Sequence, residues 1–143
     1  MERSAAARFG LICLLVATFA ASKSSFAQVN PTNQDISSER FAIGGKKSEF
    51  GRYYGLNVDC SSAWQQVTIT KSPDSGEARL KDSTVIASYS APNPRVRCNG
   101  KSTKAMALEY TPTKGYMGKD SIEVELINET GQRVLYRYDI TVK

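Results

Sequence analysis

The stretch Tyr110-Thr-Pro-Thr-Lys-Gly-Tyr116-Met-Gly-Lys-Asp120, with the two alternating runs after it, constrains this chain more than any other feature. From Ile122 the apolar groups Ile122, Val124 and Leu126 fall on one side of an extended chain, and Ser121, Glu123 and Glu125 fall on the other. A period of two marks a half-buried strand, because successive side chains leave opposite faces. Asn128-Glu-Thr-Gly131-Gln supplies turn residues, and the return run sets Val134, Tyr136, Tyr138, Ile140 and Val142 against Arg137, Asp139 and Thr141. This reads as a β-hairpin with one wet face. Glu123 and Glu125 share that face with Arg137, so cross-strand charge pairing is expected there rather than a catalytic carboxylate pair.

Shorter alternating runs precede the hairpin. Gly51–Asp59 carries Tyr53, Leu56 and Val58, a plausible first strand, and Trp64–Thr70 alternates Val67 and Ile69 with Gln66, Thr68 and Thr70. Ser72-Pro-Asp-Ser-Gly76 is a turn signal. Ala78–Leu80 and Thr84–Tyr89 read as two short strands parted by Lys81-Asp82-Ser83. Ala91-Pro-Asn-Pro94 breaks the sheet, since proline has no N–H for a ladder. Arg95–Lys104 reads as a surface loop and Lys104–Tyr110 as a further strand, with Met106, Leu108 and Tyr110 on one face and Ala105, Ala107 and Glu109 on the other. Short strands, frequent turns and no long helix predict an all-β protein, an antiparallel β-sandwich of about seven strands.

Ahead of these runs lies a different composition. Arg3 and Arg8, the apolar run Leu11–Ala21 and the small residues of Ser25-Phe-Ala27 predict a signal peptide over 1–27, cleaved after Ala27, with Cys13 leaving in it. The apolar run is shorter than the roughly 20 residues a spanning helix needs, and no later run could span a bilayer. Residues 28–48, with Asn30-Pro31, Ser37-Ser38 and Gly44-Gly45, read as a flexible leader. One turn of helix near Asp35–Arg40 or a short edge strand at Phe41–Ile43 would be its only order. The sandwich domain is then expected over 49–143.

Signal removal takes the net charge from +5 to +3 and leaves two cysteines, Cys60 and Cys98. An even count in a small exported chain predicts one disulfide. The chain-entropy estimate for the loop it closes is about 4 kcal/mol. Two thiols in a chain without histidine do not make a four-ligand zinc site, so neither metal nor cofactor is expected.

Tyr110-x-Pro112-x-x-Gly115-Tyr116-x-Gly118-x-Asp120, entering the Ile122/Val124 strand and ending on Ile140-Thr-Val142, resembles the closing segment of bacterial immunoglobulin-like and cadherin-like repeats. Val67-x-Ile69 with Pro73-x-x-Gly76 after it is similar to the mid-domain turn of the same repeats. The C-terminal third carries the most specific part of the likeness. It implies an immunoglobulin-like all-β sandwich from an exported or surface protein. The departures are informative. Antibody-type domains place a tryptophan well downstream of the first cysteine, whereas Trp64 is four residues past Cys60. The disulfide is therefore expected at the periphery, joining an early strand end to the loop before Lys104. Cadherin-type calcium sites need acidic clusters between successive repeats, and this chain has one repeat and no such cluster.

Without histidine the commonest general base is missing. Lys71-Ser72 and Lys101-Ser102 are neighbours along extended chain and point to opposite faces, so no enzyme is expected. The one basic cluster, Arg95, Arg97, Lys101 and Lys104, flanks Cys98, and Tyr53 and Tyr54 are the remaining candidate contact residues. Serine at Arg95, Arg97 and Lys101 is expected to weaken binding and leave thermal stability unchanged. The partner is expected to be a protein or an anionic envelope glycan; the mild, scattered charge argues against nucleic acid. The chain reads as a periplasmic or secreted, non-catalytic binding or accessory module. Alternatives are a secreted enzyme inhibitor using the disulfide-pinned loop, or a structural subunit of a surface assembly.

Overall fold

The computed structural model describes residues 34–63, 65–128 and 131–143. The expected signal peptide, its cleavage point and Trp64 lie outside these residues. Seven strands run as β1 Gln34–Ala42, β2 Ser48–Tyr53, β3 Gln66–Lys71, β4 Gly76–Ile86, β5 Ser102–Pro112, β6 Gly118–Ile127 and β7 Arg133–Val142. They form a four-stranded sheet in the order β1-β7-β6-β3 and a three-stranded sheet in the order β2-β5-β4. The expected all-β sandwich of seven strands with one disulfide is the observed architecture.

The C-terminal hairpin forms as its pattern requires, from Gly118 paired with Val142 to Ile127 paired with Arg133. Ile122, Val124, Leu126, Tyr138, Ile140 and Val142 face the other sheet, where Phe50, Tyr53, Leu108 and Tyr110 meet them in one buried cluster. Tyr53 and Tyr138 join their hydroxyls across the sheets at 2.7 Å. Burial, then the bond to Tyr138, raise the Tyr53 pKa well above the ordinary phenol value. Gly51 makes room for this bridge: a Cβ there would lie 2.6 Å from the Tyr138 hydroxyl oxygen. On the outer face Arg137 pairs with Glu123 at 3.2 Å and Arg133 pairs with Glu125. The cross-strand charge pairing is thus present, with a second arginine taking Glu125.

Three expectations are corrected. Residues 34–42, read as part of a leader, form β1 and pair in parallel with β7, Gln34 with Val134 through Ala42 with Val142. No helical turn forms at 35–40, and among the described residues the sandwich already includes Gln34–Ala42, ahead of the expected start at 49. The inward positions of β1 are Ile36, Ser38, Arg40 and Ala42, so two polar residues hide the period of two. Arg40 lies 5.4 Å from the centre of the Tyr138 ring and covers the core edge with its stem.

The second correction joins the two short runs after Gly76 into one strand, paired with β5 without interruption from Gly76–Pro112 to Ile86–Ser102. Lys81-Asp82-Ser83 has turn composition, but β5 offers a complete ladder and the other edge of β4 is open to water, so polar side chains cost nothing there. The third moves the first expected strand from Gly51–Asp59 to Ser48–Tyr53, with a bulge between Glu49 and Gly51. Beyond Tyr53 the chain leaves the sheet and folds into a cap.

Candidate functional site

The cap closes the end of the sandwich where β2 and β4 finish and β3 and β5 begin. Leu56 bridges to Ser62. Asn57 donates from its N–H to the Ser61 carbonyl, and Ala63 donates to that of Gly55, each at about 3 Å. The turn places Cys60 at φ 67°, a left-handed conformation unusual for a side-chain-bearing residue. Asp59 supports it by accepting the Ser61 N–H and hydroxyl, which together hold its carboxyl below the usual range.

Across from the cap, Pro94–Cys98 forms a 3₁₀ turn begun by the Asn93 side chain, which accepts the Arg95 N–H. The Ala91–Pro92 peptide before it is cis. Cys60 and Cys98 are bonded with their Cα atoms 5.4 Å apart. Around the bond a second, smaller core gathers Leu56, Ala87 and Cys98 with Tyr54 and Tyr89 against it. The disulfide is peripheral to the main core, as expected. Tyr54 donates its hydroxyl to the Ser88 carbonyl and accepts the Ser88 N–H, both at 2.9 Å.

The four cations of the expected cluster are divided by this packing. Arg95 donates Nε to the Leu56 carbonyl, and Arg97 donates Nε to the Val58 carbonyl at 2.7 Å. Both arginines therefore staple the 3₁₀ turn to the cap. Lys101 is exposed beyond the turn, and Lys104 stands on β5 at the mouth of a cleft. Tyr53 is only 6% exposed and its hydroxyl is held by Tyr138, so it forms cleft floor rather than a projecting contact. The staples change an expectation. Replacing Arg95 or Arg97 by serine should each lower stability by about 1 kcal/mol, the usual worth of such a bond. Denaturant unfolding of the single variants checks this; unchanged midpoints would show that the bonds do not hold the cap.

The cleft has a volume of about 240 Å³. Its floor is Tyr53, Val67 and Met106, its cap wall Tyr54, Ala63 and Gln65, and its rim Ser62, Asp82 and Lys104. The side-chain oxygen of Gln65 is buried in the wall with no hydrogen-bond partner. A buried acceptor left unpaired costs about 1–3 kcal/mol. Gly55 lets Gln65 sit there, since a Cβ at Gly55 would lie 2.2 Å from its amide nitrogen. Gln65 carried no signal in the sequence, and Asp82 and Met106 were legible only as a turn-prone residue and as one member of a strand face. Each takes its place only because β3, β4 and β5 end together beneath the cap.

Among the described residues no group of three or more His, Cys, Asp or Glu side chains is placed to hold a metal ion. No helix among them is long and apolar enough to cross a membrane. Lys71 does meet a serine, donating Nζ to Ser121 Oγ at 2.7 Å. The pair lies on the exposed outer face of the sheet, without the burial that activates a lysine. No protein-family profile, no curated protein and no solved structure matches this chain.

Proposed function

We propose that this protein is an exported, non-catalytic binding or accessory module that engages a protein partner of the cell envelope through the cleft beneath the cap. The observation that carries this reading is the cleft's composition: an apolar floor, one cation and one anion at the rim, and the unpaired Gln65 oxygen in the wall. Such a mixture suits a polypeptide segment inserting an apolar side chain and offering a donor to the wall. A polyanionic glycan would find only Lys104 attractive and would meet Asp82 beside it. Export is supported by the signal-like start and by a disulfide that needs an oxidising compartment. The resemblance of Tyr110–Val142 to bacterial immunoglobulin-like repeats supports a module of this kind.

Ala63→Trp tests the site, because the residue faces the cleft and lies outside both buried cores. The added ring should fill the cleft, cut retention of envelope proteins on the immobilised domain by about ten-fold or more, and leave the melting temperature unchanged. Undiminished retention of the same proteins would remove the cleft as the contact site.

A further inference from the structure

The opposite end of the sandwich has a different character. There β1, β6 and β7 meet two turns, 43–47 and 113–117, whose backbones pack together: a Cβ at Gly44 would lie 3.0 Å from the Tyr116 carbonyl oxygen, and one at Gly45 3.4 Å from Lys114. Three large apolar side chains stand out from this tip, Phe41 at 64% exposure, Ile43 at 55% and Met117 at 75%. Lysines surround them. Lys143 lies 4.9 Å from the centre of the Phe41 ring, Lys119 donates to the Thr141 hydroxyl, and Lys46 and Lys114 extend from the two turns. None of these four has a salt bridge among the described residues; Lys47 alone pairs with a carboxylate, Glu109. Besides Glu109, the countercharges near the tip are Glu77 on β4, which Arg79 pairs, Asp74 in the adjoining turn, and the main-chain carboxylate wherever Lys143 ends the chain. Asp120 is buried and committed to its own hydrogen bonds.

We infer that this tip is a docking surface for an anionic phospholipid bilayer, seating the domain end-on with the cleft directed away from the membrane. Three observations select a bilayer. Protein interfaces are enriched in arginine, methionine and aromatic residues and depleted in lysine. The tip has Phe41 and Met117, yet it carries five lysines, four of them without a salt bridge among the described residues, and no arginine. A polyanionic glycan would use the charges and leave Ile43 and Met117 facing water. A bilayer surface takes both, the ammonium groups among the phosphates and the apolar tips at the acyl boundary. The charge pattern also sets the pose. One step up the outer face from Phe41 and Thr141, the register pairs Glu39 with Asp139, so an anionic surface attracts the tip and repels the flank.

Vesicle co-sedimentation tests this with the chain from Gln28 onward, which contains every described strand and lacks the apolar N-terminal run that would bind lipid by itself. The domain should sediment with vesicles containing about one-third phosphatidylglycerol and stay in solution with pure phosphatidylcholine. Binding should fall steeply at about 0.5 M salt, where exposed charges are screened. Each lysine near an anionic surface contributes roughly a five-fold factor, so Lys46→Glu with Lys114→Glu should weaken binding by more than about twenty-fold. Met117→Ser with Ile43→Ser should weaken it by roughly ten-fold at constant charge. Lys81→Glu on the outer face of β4 should change it little. All these residues are exposed, so an unchanged melting curve separates a lost surface from a lost fold. Equal binding to both vesicle types, or none to either, would overturn the inference. So would a concentration-dependent dimer that Met117→Ser abolishes, which would assign the tip to a second copy. Ala63→Trp at the far end should leave vesicle binding intact, so failure at one end does not stand for failure at the other.

Discussion

Replacing Cys98 by serine should lower the unfolding free energy by about 4 kcal/mol, the chain-entropy value for the loop between Cys60 and Cys98. Two further effects act in the same direction. Cys98 is fully buried in the small core with Leu56 and Ala87, so serine places a hydroxyl among apolar groups, at a cost unless it finds a partner. The Arg95 and Arg97 bonds to the cap carbonyls also lose the covalent tie that holds their geometry. Cys60 is half-buried in an exposed turn, so Cys60→Ser should lose the loop term with less of the burial term and be the milder change. Guanidinium unfolding of both variants beside the oxidised and reduced parent measures all of this. A loss below about 1 kcal/mol for Cys98→Ser would mean that the cap is held by its hydrogen bonds alone. Amide exchange should localise the damage: the cap amides at Asn57 and Cys60 speed up first, while Ile122–Leu126 stay protected until the whole domain unfolds.

Asp120→Ala should be comparably severe, with a loss of about 3 kcal/mol, because it removes a charged acceptor from four donors at once. Asp120 takes the Tyr110 hydroxyl at 2.7 Å and the N–H groups of Asp74, Ser75 and Ser121 at 2.8–3.1 Å. One carboxylate thus ties the β3–β4 turn to the start of β6 and fixes the largest buried ring of the core. Burial alone would raise its pKa, but the Tyr110 bond and the three backbone bonds outweigh it and hold the carboxyl below its ordinary value. Burial, and then the bond to Asp120, push the Tyr110 pKa up in return. Since the folded pKa of Asp120 lies below the unfolded one, its stabilisation is complete above the unfolded value and is lost as pH falls through the folded value. The parent should therefore lose stability on acidification over that window. Asp120→Asn, which keeps one acceptor oxygen, should be intermediate at neutral pH and approach the parent in acid. A constant gap between the two across the acid range would show that the carboxylate charge has no part in holding the turn. Tyr110→Phe separates the hydroxyl from the ring, with an expected loss of about 1–2 kcal/mol.

The two ends of the molecule divide its chemistry. The disulfide end builds a cleft from the terminations of four strands and a cross-linked cap, while the far end shows apolar tips among lysines. Each combines side chains from strand ends with side chains from the turns or cap beside them, which the sheets hold in place.

The hairpin from Gly118 to Val142 was legible from its residues because it is local and strictly alternating. Its burial pattern alone sets which face turns inward, and its partner lies next to it in sequence. The pairing of Cys60 with Cys98 was legible for a simpler reason, since the one other cysteine, Cys13, lies in the N-terminal apolar run. β1 was not legible: Ser38 and Arg40 occupy inward positions, and the Tyr138 ring and Phe50 carbonyl that accommodate Arg40 lie elsewhere along the chain. The continuity of β4 was equally hidden, because β5 supplies the ladder that overrides three turn-prone residues. The basic cluster shows the same limit at the level of function. Four cations within ten residues look like one patch, yet two are consumed by cap carbonyls about 40 residues away in sequence. Alternation and cysteine count are properties of neighbouring or countable residues, so the sandwich, its hairpin and its cross-link could be read without coordinates. The cleft and the lysine-ringed tip depend on which distant strands end together, and long-range packing sets that.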